Sequence, residues 1–255
     1  MRHNYVGDEG DYAKLALLKA LRGKGTLGVN WYLTVHHEDN ADGHKRAHLH
    51  GRGDDDWSHL DADLLREMRK SLRWWEAGDR HISHLEALLM PGAIFFGEEL
   101  PTGADPAAVR MAARERWHAD ALDALAGADI VFVDPDNGFE VKSRGRRSKW
   151  RCKYATYEEI GDYLSRGQAV VAYQHKPRLT WAAAIDKVRR ELRQHDVPTA
   201  PPGFIAFGSR GFFLMHRDRE VVEQLTRRAQ ALKDDCDEVG WTKLTIDVIP
   251  PEEDS

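Results

Sequence analysis

Cysteine is nearly missing from this sequence, with Cys152 and Cys236 the only two in 255 residues. That excludes a disulfide framework and a cysteine-rich zinc site, and it fits a reducing cytoplasm. No apolar run approaches the roughly 20 residues that a membrane helix needs, so no membrane partner is expected. The opening Met1-Arg2-His3-Asn4-Tyr5 is followed by no apolar signal region, which argues against secretion. An excess of positive charge is lacking too. The net charge is −5, so the chain as a whole is not a simple polyanion binder.

What is present is an ordinary globular composition, 42% hydrophobic and 31% charged, which rules out wholesale disorder. The length suits one α/β domain over residues 1–255. Leucines at 15, 18 and 21 predict a helix over Tyr12–Arg22, with Asp11 as its N-cap. Gly28–Val35 reads as a first strand. Helices follow over Leu60–Glu76, His81–Leu89 and Asp105–Ala126, with a short strand at Ala93–Phe96 between the last two. Asp129–Val133 and Ala169–Tyr173 are apolar strands on either side of a Thr156–Ser165 helix. Trp181–Gln194 is an amphipathic helix. Phe204–Phe207 and Phe212–Met215 form a hairpin around Gly208-Ser209-Arg210-Gly211, followed by a helix to about Lys233 and a strand at Leu244–Ile249. Uniformly apolar strands alternating with helices indicate a doubly wound, mostly parallel sheet with helices on both faces, and the hairpin adds a C-terminal antiparallel edge.

Ligands of such sheets sit beyond the carboxyl ends of the strands. There the Asp129–Val133 strand runs into Asp134-Pro135-Asp136-Asn137-Gly138. Paired carboxylates can make a general base, and an asparagine amide can read a base edge in both directions. The Ala169–Tyr173 strand runs into Tyr173-Gln174-His175-Lys176-Pro177-Arg178. Tyr173 suits stacking, Gln174 base reading, His175 stabilisation of a leaving group, and Lys176 and Arg178 phosphate. His36 and Asn40 follow the first strand, and Asn4, Asp8 and Asp11 stand before the first helix, as candidate substrate contacts. Six of 13 histidines lie between His36 and His59, but in no recognisable ligand spacing, so no metal is expected. Lys142–Lys153 carries seven basic residues in twelve and no acidic one. Arg144, Arg146, Arg147, Lys149, Arg151 and Lys153, with Trp150 among them, suit a phosphate backbone and a stacked base. The partner expected is nucleic acid, DNA ahead of RNA.

Asp134-Pro135-Asp136-Asn137, with the helix, strand, helix and closing hairpin after it, resembles the methyltransferase-like Rossmann fold of enzymes that methylate an exocyclic base amine. The Gly7–Leu18 segment is similar to the helix before the first strand in some ribosomal-RNA adenine methyltransferases. The resemblance implies S-adenosylmethionine as cofactor and a flipped base facing Asp134. Two departures stand against it. Thr34-Val35-His36-His37-Glu38-Asp39-Asn40 replaces the glycine-rich cofactor loop, and Asp136 and Asn137 replace the family's second proline and aromatic. The added carboxylate favours water activation. The leading expectation is therefore a cofactor-independent, DNA glycosylase-like hydrolase that excises a flipped base. Asp134 or Asp136 would orient water, Asn137 would read the base and His175 would steady the leaving group, by analogy of roles with uracil-type DNA glycosylases. The alternatives are a methyltransferase with degenerate motifs, a metal-dependent nuclease using Asp134, Asp136 and His36 or His37, and a non-catalytic nucleic-acid-binding module.

Overall fold

The computed structural model describes residues 1–34, 45–51, 56–89, 91–102, 105–144 and 147–252, with Arg144 described in its backbone only. The elements run α1 (Glu9–Arg22), β1 (Leu27–Asn30), α2 (Ala62–Glu76), α3 (Ile82–Glu86), β2 (Ile94–Phe96), α4 (Ala107–Ala124), β3 (Ile130–Val133), β4 (Gly138–Phe139), β5 (Tyr154–Ala155), α5 (Tyr157–Ser165), β6 (Ala169–His175), α6 (Trp181–Gln194), β7 (Gly203–Phe207), β8 (Arg210–Met215), α7 (Arg219–Glu238) and β9 (Ile246–Ile249). Among the described residues no helix is long and apolar enough to cross a membrane.

Seven strands form the central sheet, in the order β2-β1-β3-β6-β8-β7-β9. The β2/β1, β1/β3 and β3/β6 ladders are parallel, and the β6/β8, β8/β7 and β7/β9 ladders are antiparallel. The hairpin is thus not the edge that its sequence predicts. Both of its strands are apolar at successive positions, Gly203-Phe204-Ile205-Ala206-Phe207 and Gly211-Phe212-Phe213-Leu214-Met215, and they are buried throughout. A strand apolar on both faces belongs inside a sheet. The edge is β9, where Asp247 faces solvent between Ile246 and Val248.

Successive strand residues feed opposite cores. Val29, Phe132, Val171 and Leu214 pack under α1, α2 and α7. Val131, Val133, Val170 and Phe213 pack under α4, α5 and α6. Burying each such side chain contributes about 1.5–3 kcal/mol, which is why these short strands hold without long ladders.

Two boundaries differ from the sequence reading for local reasons. β1 stops at Asn30 because the Asn30 Oδ1 accepts the Tyr32 N–H at 3.2 Å, turning the chain out with Tyr32 at φ +45°. Helix α1 starts at Glu9, with Asp8 as N-cap accepting the Asp11 N–H at 2.9 Å. Asp11 is therefore not the cap, and its carboxylate is released into the interior.

Candidate active site

The Asp134–Gly138 turn leaves β3 at the carboxyl edge of the parallel strands, as expected, but its charges are wired inward. Lys14, one turn along α1 from Asp11, donates to Asp134 Oδ2 at 2.7 Å and to Asp11 Oδ1 at 3.1 Å. Its side chain is only 7% exposed. Burial alone would lower the Lys14 pKa, but Asp134 and Asp11 overcome this and raise it above the ordinary lysine value. Asp11 also accepts the Gly7 N–H at 3.0 Å. Burial, with Asp8 and Asp134 nearby and against the pull of Lys14, pushes the Asp11 carboxyl up to about 7.

Asp136 is held from the other side. Its Oδ1 lies 3.0 Å from the Met1 ammonium and its Oδ2 accepts the Arg2 Nε–H at 3.0 Å, with the carboxylate 3% exposed. The same ammonium donates to the carbonyls of Tyr32 and Asp134. Burial raises the Asp136 pKa, and the ammonium and guanidinium more than reverse this, holding it below the usual carboxylate value.

Met1, Asp11, Lys14, Asp134 and Asp136 wall a cavity of about 340 Å³, together with Tyr5, Asp8, Lys45, Asn137, Tyr173, His175 and Arg210. Arg210, from the hairpin, reaches Asp8 and Glu9 at 3.5 Å each. Gly10 makes room for it, since a Cβ there would collide with the guanidinium. Tyr173 meets His175 Nδ1 through its hydroxyl at 3.2 Å.

Across the turn lies a second cavity, of about 520 Å³, whose lining includes Asn137, Phe139, Tyr154, Gln174, His175, Lys176, Arg178 and Lys187. Asn137 and His175 belong to both cavities. The wall between them is braced by Gln174. Its Oε1 accepts the Phe139 N–H at 3.1 Å, and its Nε2 donates to the carbonyls of Asn137 and His175 at 3.0 and 2.7 Å. Gly138, at φ +108°, leaves the space the Gln174 amide fills. With its amide committed to backbone, Gln174 holds the turn in place of reading a base. Asn137 uses only its backbone: its N–H donates to the Lys153 carbonyl, and its carbonyl accepts from His175 N–H and Gln174. Among the described residues no hydrogen bond engages its side-chain amide.

The basic segment returns to the site through that Asn137–Lys153 bond and the β4/β5 pairing of Gly138-Phe139 with Tyr154-Ala155. Arg114 anchors it, donating to the Arg151 and Tyr154 carbonyls and pairing with buried Glu159 at 2.6 Å. Arg147 and Lys149 face solvent. The Lys149 and Lys153 ammoniums each lie 5.1 Å from the centre of the Trp150 ring. Arg151 turns inward, its guanidinium 3.8 Å from Glu140.

The structure brings together Asp8, Asp11, Asp134, Asp136, Asn137, Tyr173 and His175 around the first cavity, and Lys176 and Arg178 around the second. Asn4 lines neither; its carbonyl accepts from Arg80 at 2.6 Å. His36, His37, Asn40 and Arg146 lie outside the described residues, as does the Arg144 side chain. Among the described residues no three His, Cys, Asp or Glu side chains are placed to hold a metal ion. Sequence reasoning missed Lys14, Arg2, Arg210 and the Met1 amine. Only Lys14 left a trace, as a charge one helical turn from Asp11 amid Tyr12, Leu15 and Leu18.

No family model matches this chain, and no curated protein matches it. Among solved structures, protein LPL1258 from Legionella pneumophila, assigned to the family model DUF519, is similar over 97% of this chain and 99% of its own, at 10% identity and a TM-score of 0.49.

Proposed function

We propose that this chain is a nucleic-acid base-modifying enzyme with a doubly wound, methyltransferase-like Rossmann arrangement, transferring a methyl group from S-adenosylmethionine to an exocyclic base amine. The observation that carries transfer over hydrolysis is the state of the two carboxylates after β3. Water activation needs a carboxylate free to take a proton. Asp136 is neutralised by Met1 and Arg2, and Asp134 is bound by Lys14. Methylation of an amine needs no activated water; it needs the amine aimed and its hydrogens accepted. Asp134, whose Oδ1 no described residue bonds, would supply one contact from the first cavity, and the Asn137 amide the other from the junction of the two cavities.

The first cavity's donor set fits the cofactor. Asp8, now 3.5 Å from Arg210, would exchange that partner for an ammonium, Arg210 and Lys45 would take a carboxylate, and the Tyr5 and Tyr173 rings would meet a sulfonium or purine face. When bound, this group supplies an electrophilic methyl. Residues of the chain would bind and orient it, and Lys14, bonded to Asp134 Oδ2, would fix that carboxylate in place as the amine's hydrogen-bond acceptor. The basic segment and Trp150 hold the strand, DNA ahead of RNA.

The test is calorimetry with S-adenosylmethionine, paired with mass spectrometry of DNA and RNA after incubation. Cofactor binding and a substrate heavier by one methyl are expected. Failure to bind the cofactor overturns the reading. A second reading, the base-excising hydrolase, draws support from Asp11, whose carboxyl near 7 suits general acid–base work. Release of a free base without cofactor would establish it, with Asp11 in the role first given to Asp134 or Asp136.

A further inference from the structure

The second cavity differs from the first in its charge. Lys176, Arg178 and Lys187 line it, and among the described residues no carboxylate is within ion-pair distance of any of them. The acid that shares the lining, Glu140, is already engaged: it accepts the Tyr157 N–H at 3.2 Å and lies 3.8 Å from Arg151. Three unpaired cations around one concavity repel one another and are relieved by an anion. Asn137, Gln174 and His175 add polar groups on the side shared with the first cavity, and the remainder of the lining is apolar or aromatic. Phe139, Tyr157, Ala184 and Val188 form a buried floor, with Tyr154 half-buried above it. Leu179, 46% exposed, is one of four large apolar side chains left in solvent among the described residues, and it stands at this mouth.

A free inorganic anion would use the cations and leave the aromatic floor and Leu179 unexplained. A neutral aromatic ligand would leave the cations unexplained. A nucleoside carrying a phosphoryl group uses both. We infer that the second cavity is a nucleotide site, taking the phosphate on Lys176, Arg178 and Lys187 and the ring on the Tyr154–Leu179 surface, with the Asn137 amide at its inner end. The inference rests on the base-acting reading for its ligand class. It adds that the nucleotide is gripped through its phosphate on the α6 side of the turn, outside the cavity assigned to the cofactor. It holds whether the chemistry is transfer or hydrolysis.

The experiment titrates the protein separately with each nucleoside 5′-monophosphate, each matching nucleoside and inorganic phosphate, by nuclear magnetic resonance. S-adenosylmethionine binding is measured on the same samples. At least one monophosphate is expected to bind tenfold or more tighter than both its nucleoside and inorganic phosphate. Arg178→Gln, at an exposed position, and Lys187→Gln are each expected to weaken it fivefold or more while leaving S-adenosylmethionine binding and the thermal midpoint unchanged. Equal binding of nucleoside and monophosphate overturns the proposal, as does phosphate binding as tightly as the nucleotide, an unchanged affinity in both variants, or no binding. Cofactor binding without nucleotide binding would sink this site and leave the methyl-transfer reading standing. Nucleotide binding without cofactor binding would do the reverse.

Discussion

The ends of β3 and β6 lie side by side in one parallel ladder, yet they handle charge in opposite ways. After β3, Asp134 and Asp136 meet Lys14, Arg2 and the Met1 ammonium, all shielded from water. After β6, Lys176 and Arg178 stand exposed with no carboxylate within ion-pair distance among the described residues, Lys176 lying 5.8 Å from the Trp181 ring. Buried ion pairs are costly to assemble and costlier to break, so they are evidence less of stability than of fixed geometry. Exposed cations cost little and are available to a partner. The contrast assigns preorganisation to the first strand end and recruitment to the second.

The sharpest way to break this comparison is to remove Lys14. Lys14→Met leaves two buried carboxylates facing each other without a cation, and a loss of about 3–5 kcal/mol in chemical denaturation is expected. A loss below about 1 kcal/mol would mean that the β3 end is no more wired than a surface pair. pH gives the next largest effect. Asp11 titrates at 3.8 when unfolded and at about 7 when folded. Between those values the native state keeps a proton that the unfolded state has lost. Its contribution is therefore full below about pH 4 and declines as pH rises towards 7. The slope is bounded by about 1.4 kcal/mol per pH unit. Urea melts of the parent and of Asp11→Asn across that range should show the slope flattened in the variant, and parallel curves would remove Asp11 from the network.

Gly138→Ala tests the wall between the two strand ends. The positive φ and the displaced Gln174 brace should cost about 1–3 kcal/mol in denaturant, and neutrality would show that the brace is not tight. On the side of the exposed cations the effect is on binding and not on stability. Trp150→Ala should weaken single-stranded nucleic-acid binding by about 1–3 kcal/mol. Lys149→Gln should lower the slope of log affinity against log salt by about one. Fluorescence anisotropy over a salt series reads both, and an unchanged affinity and slope would take the basic segment out of the interface.

Much of the fold was legible because it rests on local pattern. Ile130–Val133 and Ala169–Tyr173 hold no charged, amide or hydroxyl-bearing residue but Tyr173, and such runs read as buried parallel strands without knowledge of their neighbours. The place of the hairpin was not legible, because whether β8 pairs with β6 or lies outside β7 depends on contacts between distant segments. The candidate site divides the same way. Turn chemistry announced Asp134-Pro135-Asp136-Asn137, since four such residues after a strand are visible in one window. Lys14 and Arg210 reach the cavity from 120 residues before Asp134 and from the far hairpin. Their roles exist only once the sheet is assembled. Gln174 was misread for a related reason: an amide's partners are set by backbone geometry, and residue type does not reveal whether that amide is already satisfied.

The pairing of β8 with β6 also sets a timetable. Until Arg210–Met215 has left the ribosome, β6 presents its outer edge, a row of unsatisfied backbone groups on an apolar strand, to whatever is near. At about 5–20 residues per second, the interval between His175 and Arg210 lasts roughly two to seven seconds. The nascent chain passes that time as an incomplete sheet, and the same late residue, Arg210, closes the first cavity beside Asp8. The strand that covers the edge of β6 thus also completes the wall of the first cavity, so the two are finished in one step of synthesis.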